Sequence, residues 1–167
     1  MSETMMAQGR AEVDEANRRF MEAFERGDAA SVAALYAEDA VVLPPDAPMI
    51  SGRAEIEELW RGLMAAGARG VNLVTLRLAG SGDVLHEVGH ATITIQPEGG
   101  ETDTLVVKYV VVWERDPAGG LALAVDMWNG ESPSELPAPG LLKTQEQDPR
   151  GRAPQRPGDQ DWFTRGV

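Results

Sequence analysis

Hydrophobic residues recur at helical spacing in three segments of the first part of the chain. From about Ala7 to Arg26 they fall every three or four positions, which predicts an amphipathic helix. Asp28 is a suitable N-cap for a second, shorter helix over Ala29 to Ala37, and Ser51 is a suitable N-cap for a third. The predicted apolar face of the third helix comprises Ile56, Leu59, Trp60 and Leu63.

Further along the chain the hydrophobic period changes from 3.6 to 2, the spacing of a β-strand with one buried face. Turn residues separate four such stretches. The predicted strands are Val71–Ala79, Val84–Gln96, Thr104–Glu114 and Leu121–Asn129, with a shorter one at Val41–Leu43. Three helices followed by a meander of long strands predict an α+β fold, with the helices packed on one face of an antiparallel sheet.

The predicted strand Thr104–Glu114 differs from the others because its centre is apolar on both faces. Valine and aromatic residues occupy almost every position from Val106 to Trp113. One face of an antiparallel sheet is normally exposed to water, so a strand of this kind indicates that the second face is covered as well. Since the sequence offers no further element to cover it, we expect a homodimer that associates through the sheet.

The composition of the chain changes after Asn129. Residues 131–167 are rich in Pro, Gly, Gln and charged residues and lack hydrophobic periodicity, which predicts a disordered tail after a folded domain at residues 7–130. The aromatic pair Trp162-Phe163 in this tail is either part of a terminus without a role or a short docking peptide.

Composition also restricts the classes of function. The chain has 167 residues, the size of one domain, and a formal net charge of −12. Phosphate binding needs clustered Lys and Arg, so this charge argues against nucleic acid and anionic membranes as partners. Without cysteine there are no disulfides and no thiolate metal ligands. Because the sequence shows neither a signal-like N-terminus nor an apolar run of membrane length, we expect a cytoplasmic protein.

Three segments, Gly27–Val41, Ile50–Arg53 and Val125–Asn129, together resemble the SnoaL-like and ketosteroid-isomerase-like proteins of the nuclear-transport-factor-2-like superfamily. Within it, the chain is most similar to the small SgcJ/EcaC-type proteins. The resemblance spans about residues 8 to 130. It implies a cystatin-like fold in which helices and a curved sheet enclose a conical pocket for a small molecule, and a dimer formed through the sheet.

The same resemblance argues against ketosteroid isomerase activity. By motif spacing, the tyrosine of those isomerases corresponds to Phe20, their general-base aspartate to Pro44, and their strand acid to Tyr109 or Val110. None of the three matches. Without a base and an oxyanion donor at these positions, the proton transfer of the isomerases has no groups to carry it.

The string His86-Glu87-Val88-Gly89-His90 matches the zinc-hydrolase motif H-E-x-x-H, which requires a helix. The β-branched alternation that follows, Ala91–Ile95, predicts a strand instead. Residues four apart on a strand are separated by roughly 13 Å, too far to bind one zinc ion. A zinc hydrolase is therefore a minor alternative, and we expect neither a metal nor a nucleotide cofactor.

Charged residues within apolar strands are the better candidates for catalysis. Lys108 and Asp126 would each be costly to bury unpaired, and one hairpin register places them opposite each other as an ion pair. A register shifted by one residue places Tyr109 opposite Asp126 instead. Asp126 is then a candidate base and Lys108 a candidate electrophile or carboxylate clamp; alternatively, the two form a structural ion pair.

His90 is the third catalytic candidate, because an imidazole exchanges protons near neutral pH, and its alternative role is that of a hydrogen-bonded structural histidine. Glu87 lies on the opposite strand face, so at most one of the two lines the pocket. The candidate ligand-binding residues are aromatic side chains that would also suit an ordinary core: Trp60, Trp128, Phe20 and Tyr109.

These features support two hypotheses of function. The first is a cofactor-independent enzyme of SnoaL-like type that performs isomerisation, cyclisation, dehydration or epoxide opening on an apolar metabolite through Asp126, Lys108 and His90. The second is a non-catalytic module that binds a ligand in the same pocket or serves as a dimeric scaffold. A deep cavity around Asp126 favours an enzyme or a binder, and a filled interior favours a scaffold.

Overall fold

The computed structural model of the protein describes residues 3–131, which form three helices and six strands. In chain order these are α1 (Glu3–Glu25), α2 (Ala29–Ala33), β1 (Tyr36–Leu43), β2 (Ile50–Ser51), α3 (Arg53–Ala65), β3 (Ala68–Ser81), β4 (Val84–Ile95), β5 (Asp103–Arg115) and β6 (Leu121–Gly130). Apart from residue 131, the predicted tail with its Trp162-Phe163 pair lies outside the described residues. The boundary between a domain at 7–130 and a tail at 131–167 stays a prediction.

The six strands form one curved, open sheet in the order β2-β1-β6-β5-β4-β3. All neighbours are antiparallel except β1 and β6, which pair in parallel. Strands β3 to β6 form the predicted meander, while α1 packs against β3 and α3 against β1. The predicted α+β fold, with N-terminal helices on a curved sheet, is confirmed.

The buried core lies between the helices and the inner face of the sheet. Along β5, alternate side chains are buried, as the period of a strand requires: Val107, Tyr109, Val111 and Trp113. The helices add an aromatic cluster, in which the Trp60 ring meets Phe20 and Phe24 edge-on at centroid distances of 5.4 and 5.8 Å. Large aromatic side chains thus join α1 to α3.

The second helix is shorter than predicted. Asp28 caps it as expected, accepting a hydrogen bond from the backbone three residues further on. The helix nevertheless ends at Ala33, and Tyr36 begins β1. The cause is tertiary, because the Leu35 carbonyl accepts a hydrogen bond from the Leu123 backbone N–H of β6 at 2.9 Å. Pairing with a distant strand overrides the local helical pattern.

The third helix begins at Arg53 without the predicted Ser51 cap. Ser51 lies in β2, paired with Val41 of β1. Gly52 occupies the capping position with a φ of 90° and no side-chain hydrogen bond. Glycine adopts this positive φ without strain, which lets the chain turn directly from strand into helix.

The outer face of the sheet carries a partly exposed row of apolar side chains. Val88, Val110, Met127 and Leu43 are successive partners across β4, β5, β6 and β1, and we refer to them as the outer apolar row. Val110 and Met127 are each 39% exposed. Among the helices of residues 3–131, none is long and apolar enough to cross a membrane. A cytoplasmic location stays a prediction.

Candidate functional site

Two carboxylates are buried on the inner face of the sheet. Glu87 of β4 is 0% exposed and Asp126 of β6 is 7% exposed. Both pair with Val111 of β5, one from each side, so they lie on the same row across the sheet. Two strand spacings separate their backbones by about 10 Å. Because acids are seldom buried without specific partners, the surroundings of each carboxylate define what it can do.

One carboxylate oxygen of Asp126 accepts a hydrogen bond, and the other accepts none from the described residues. The Tyr36 hydroxyl donates to its Oδ2 at 2.6 Å. Its Oδ1 accepts no hydrogen bond from any residue of the described chain, yet it is not sealed from solvent. Burial raises the pKa of Asp126 from 3.8 to about 6, the Tyr36 hydrogen bond lowers it, and the charge of Glu87 raises it further. Asp126 can therefore bind and release a proton near neutral pH through its free oxygen.

Tyr36, the donor to Asp126, is held firmly at the start of β1. Its side chain is buried, and the Arg53 guanidinium donates to its carbonyl oxygen at 3.0 and 2.7 Å. Burial and the charge of Asp126 raise the pKa of Tyr36 well above its usual value, so it donates at neutral pH. The Trp60 indole N–H lies beside this hydroxyl and favours its ionised form, but the geometry falls short of a hydrogen bond.

Glu87 is fully hydrogen-bonded, in contrast to Asp126. Its Oε1 accepts from Asn17 Nδ2 at 2.9 Å, Thr75 Oγ1 at 2.6 Å and the Tyr109 hydroxyl at 2.7 Å. Its Oε2 accepts from the Trp113 indole N–H at 3.0 Å. These donors come from α1, β3 and β5, so Glu87 joins three elements to β4. Burial and the Glu87 charge raise the pKa of Tyr109, which keeps its phenol a donor.

The four aromatic residues predicted to bind a ligand all lie between the helices and the inner face of the sheet. Trp128 follows Asp126 by two residues in β6, is half-buried, and stacks on Trp60 with a centroid distance of 5.7 Å and an interplanar angle of 24°. Tyr109 is the cross-strand partner of Trp128, and Phe20 packs against Trp60. These side chains stand around the Asp126 site, and their contact with a ligand stays a prediction.

Three surface clefts of about 950, 420 and 350 Å³ occur among the described residues. The first lies between α1, the start of β1 and the β5–β6 turn, and contains Arg19, Arg53 and Arg115 among several acids. None of the three is lined by Asp126 or Glu87.

The predicted ion pair between Lys108 and Asp126 is wrong. The register pairs Asp126 with Val111 and Lys108 with Asn129, so neither hairpin register considered from the sequence is formed. Lys108 points to the outer face and Asp126 to the inner one. The physical reason is the register beside the β5–β6 turn, where Trp113 pairs with Leu123, because a regular ladder from there would already place Asp126 opposite Val110. A β-bulge beside Trp113 then shifts the pairing by one more residue and turns Asp126 to the inner face.

His90 also lies on the outer face, opposite Lys108 and 3.7 Å from the Glu131 carboxylate. The three predicted catalytic residues are therefore not brought together, and of the pair His90 and Glu87 it is Glu87 that faces inward. The strand predicted for the string His86-Glu87-Val88-Gly89-His90 is confirmed as part of β4. Across residues 3–131 no group of three or more metal-ligating side chains is close enough to hold an ion, so a zinc hydrolase has no support.

Tyr36 and Glu87 are missing from the catalytic candidates that the sequence suggests. Tyr36 lies in a stretch of helical period, and no local signal indicates its hydrogen bond to Asp126, which is 90 residues away. Glu87 has a detectable signal, because it shares strand parity with Leu85 and Ala91, which are buried. An acid on the apolar face of a strand indicates an inward carboxylate.

Comparison with known proteins agrees with this architecture. The model of the SnoaL-like domain matches residues 17–123. A ketosteroid isomerase-like protein from Erwinia carotovora atroseptica is similar at 19% identity and a TM-score of 0.66, over 74% of this chain and 96% of that one. A nuclear-transport-factor-2-like protein with a cystatin-like fold from Novosphingobium aromaticivorans is similar at 22% identity and 0.67, over 79% and 88%.

A third solved structure, a proposed dehydratase of the same superfamily from Streptomyces avermitilis, is similar at 20% identity and a TM-score of 0.61, over 75% of this chain and 97% of that one. No curated protein sequence shows significant similarity to the chain. At these identities the solved structures establish the fold alone, whereas the domain model covers more than half of the sequence. The chain belongs to the SnoaL-like domain family and has the cystatin-like fold of nuclear-transport-factor-2-like proteins.

Proposed function

We propose that the protein binds an apolar small molecule beside Asp126 and uses Asp126 as a general acid–base catalyst. The observation that carries the proposal is the asymmetry of this carboxylate. Tyr36 fixes Oδ2, while Oδ1 has no partner among the described residues and keeps access to solvent. A buried acid whose pKa is about 6 can serve as base or acid at neutral pH.

The chemistry available at this site is proton transfer without a cofactor. The ionised Asp126 accepts a proton from a carbon or hydroxyl group of the substrate, and the protonated form returns it elsewhere. Isomerisation, cyclisation, dehydration and epoxide opening share this requirement. The similar ketosteroid isomerase-like protein and the proposed dehydratase are consistent with this class. Lys108 and His90, on the outer face, take no part in the proposed reaction.

A thermal-shift screen against a library of apolar and polycyclic metabolites tests the proposal, with wild type, Asp126→Asn and Tyr36→Phe compared side by side. We expect a compound that stabilises all three proteins and is converted by the wild type. Asp126→Asn should lose at least about 100-fold in kcat, the usual contribution of a positioned acid or base. The wild-type pH–rate profile should show a midpoint near the Asp126 pKa of about 6.

The control for this screen is Asp39→Asn, an exposed aspartate of β1. It should change neither binding nor rate. Tyr36→Phe should move the midpoint of the profile upward, because the hydrogen bond from Tyr36 lowers the pKa of Asp126. Full turnover of a bound compound by Asp126→Asn would contradict the proposed role.

A non-catalytic binding module or scaffold is the second candidate function. It is favoured by the aromatic filling of the interior, in which Phe20, Trp60 and Trp128 pack against one another beside Asp126. It is also favoured by the absence of both carboxylates from the walls of the three clefts. A ligand that binds without conversion, and equally well to Asp126→Asn, would support this candidate over the enzyme.

A homodimer formed through the outer face of the sheet belongs to the same proposal. The outer apolar row crosses four strands, and Val110 and Met127 remain substantially exposed in a single chain. Covering this row with the same row of a second copy removes it from water, which is the main driving force of association. The similarity to SgcJ/EcaC-type proteins remains the basis for proposing that subgroup.

A further inference from the structure

The string His86-Glu87-Val88-Gly89-His90 contains two inward-facing positions that zinc binding does not explain. Glu87 accepts the four hydrogen bonds described above. Gly89 is the cross-strand partner of Tyr109, and a Cβ at Gly89 would lie 2.3 Å from both Oη and Cζ of that tyrosine. The Tyr109 ring thus lies over the glycine and reaches Glu87 two residues away. Glu87 and Gly89 lie two residues apart on the same strand face. Gly89 leaves room for the Tyr109 ring, and Glu87 accepts the hydrogen bond from its hydroxyl.

The hydrogen bonds to Glu87 favour its ionised carboxylate. The Trp113 indole and the Asn17 amide nitrogen can only donate, and they approach different oxygens of the carboxylate. Four hydrogen-bond donors thus surround a completely buried carboxylate, and these hydrogen bonds favour its negative charge whereas burial opposes it.

This charge acts on Asp126 across one intervening strand. Both carboxylates flank Val111 on the inner face, with their backbones about 10 Å apart. The titratable groups that face Asp126 from neighbouring strands are Tyr36, which donates to it, and Tyr109 and Glu87. From α1, the side chain that reaches the cluster is the uncharged Asn17. Within the described chain, Glu87 is thus the anion that opposes ionisation of Asp126.

We infer that Glu87 is a positioning residue of the Asp126 site, a buried carboxylate that holds the Tyr109 phenol in place and favours the protonated form of Asp126. The inference rests on the proposed function, since it explains how the proton affinity of the acid at that site is raised. It assigns Glu87 no contact with the substrate.

The test is the titration of the Asp126 side-chain carboxyl carbon, followed by NMR in ¹³C-labelled full-length protein and assigned with Asp126→Asn. In Glu87→Gln we expect the midpoint to fall by on the order of one pH unit, the effect of a unit charge about 10 Å away at an effective dielectric constant of about 20. Tyr109→Phe is the matched control, because it breaks a hydrogen bond of the same network and leaves the Glu87 charge in place. In Tyr109→Phe the titration midpoint of Asp126 should move by no more than a few tenths of a pH unit.

An unchanged midpoint in Glu87→Gln, or equal shifts in Glu87→Gln and Tyr109→Phe, would overturn the inference. The glutamine amide would face the Trp113 N–H, so a second variant, Glu87→Gln with Trp113→Phe, removes this conflict and is compared with Trp113→Phe alone. The titration requires neither ligand nor turnover. A shifted midpoint, together with a screen in which no compound is converted, would contradict the proposed enzyme and leave the role of Glu87 intact. Turnover through Asp126 with an unshifted midpoint would contradict the role of Glu87 and leave the enzyme intact.

Discussion

The two buried acids of one sheet row, Glu87 and Asp126, differ in the number of hydrogen bonds they receive and in their access to solvent. Glu87 receives four hydrogen bonds and no solvent, whereas Asp126 receives one hydrogen bond and keeps an open oxygen. Hydrogen bonds to a carboxylate favour its charge, and burial opposes it. At Asp126 the effect of burial on the pKa is larger than that of the hydrogen bond. Of the two acids, only Asp126 has a carboxylate oxygen that can accept a proton from a substrate.

The raised pKa of Asp126 predicts a pH-dependent cost in stability. Asp126 titrates at about 6 in the folded chain against an ordinary value of 3.8, so the folded state binds the proton more tightly between these values. Its contribution to stability is fully present below about pH 4 and is lost as the pH rises through 6. Asp126→Asn should match the wild type near pH 4 and exceed it by up to about 3 kcal/mol in free energy of unfolding above pH 7.

Urea denaturation of both proteins at pH 4, 6 and 8 measures this difference. The exposed Asp39→Asn variant should follow the wild type at every pH. If the gap between Asp126→Asn and the wild type stays constant from pH 4 to 8, Asp126 does not carry the raised pKa.

At the scale of elements, one β-bulge determines which face of β6 carries the acid. Near the β5–β6 turn, Trp113 pairs with Leu123, and both are buried. A regular ladder continued from there would pair Asp126 with Val110 on the outer face. The bulge beside Trp113 pairs Asp126 with Val111 instead and turns its carboxylate inward.

The position of the Tyr109 ring depends on Gly89 of β4, which leaves room for it. In Gly89→Ala, the added methyl group would lie 2.3 Å from the Tyr109 phenol and 2.5 Å from the Val74 carbonyl oxygen, so the strands or the ring must move. We expect a loss of at least about 2 kcal/mol in free energy of unfolding. Gly62→Ala is the control, since its methyl group meets nothing within 4 Å on a helix, and it should stabilise by about 0.5–1 kcal/mol. Equal stability of Gly89→Ala and wild type, measured by urea denaturation, would show that Tyr109 does not need the glycine.

At the scale of the whole molecule, the two faces of the sheet differ in what covers them. Helices α1 and α3 cover the inner face, while the outer apolar row of Val88, Val110, Met127 and Leu43 has no cover within residues 3–131. A polar row of His90, Lys108 and Asn129 borders it. Apolar side chains flanked by polar ones are typical of a surface that associates.

Multi-angle light scattering at micromolar concentration should give twice the chain mass of 18.0 kDa. Val110→Glu places a charge in the centre of the outer apolar row and should yield the monomer, because an unpaired charge is costly to bury in an interface. Leu63→Glu, on α3 at 37% exposure against 39% for Val110, is the matched control and should remain dimeric. A monomer mass for the wild type would rule out the dimer.

Sequence alone determined the α+β class, the strand nature of the string His86-Glu87-Val88-Gly89-His90, and the position of Asp126 within an apolar strand. These are properties of periodicity and of local composition, which act within one element and can be read from neighbouring residues. The four long strands accordingly appear within a few residues of their predicted ends. The family could also be recognised from the sequence, because the motifs that carry the resemblance are short and contiguous.

Only the tertiary structure decided which side chains meet. The end of α2 was set by pairing with β6, and Tyr36 thereby became the partner of an aspartate 90 residues away. The bulge that turns Asp126 inward is a one-residue shift, and such a shift exchanges the two faces of a strand while leaving its sequence pattern unchanged. Lys108 and Asp126 were separated for this reason. Local patterns specify elements, whereas register and long-range pairing, which depend on the packing of the whole sheet, specify the site.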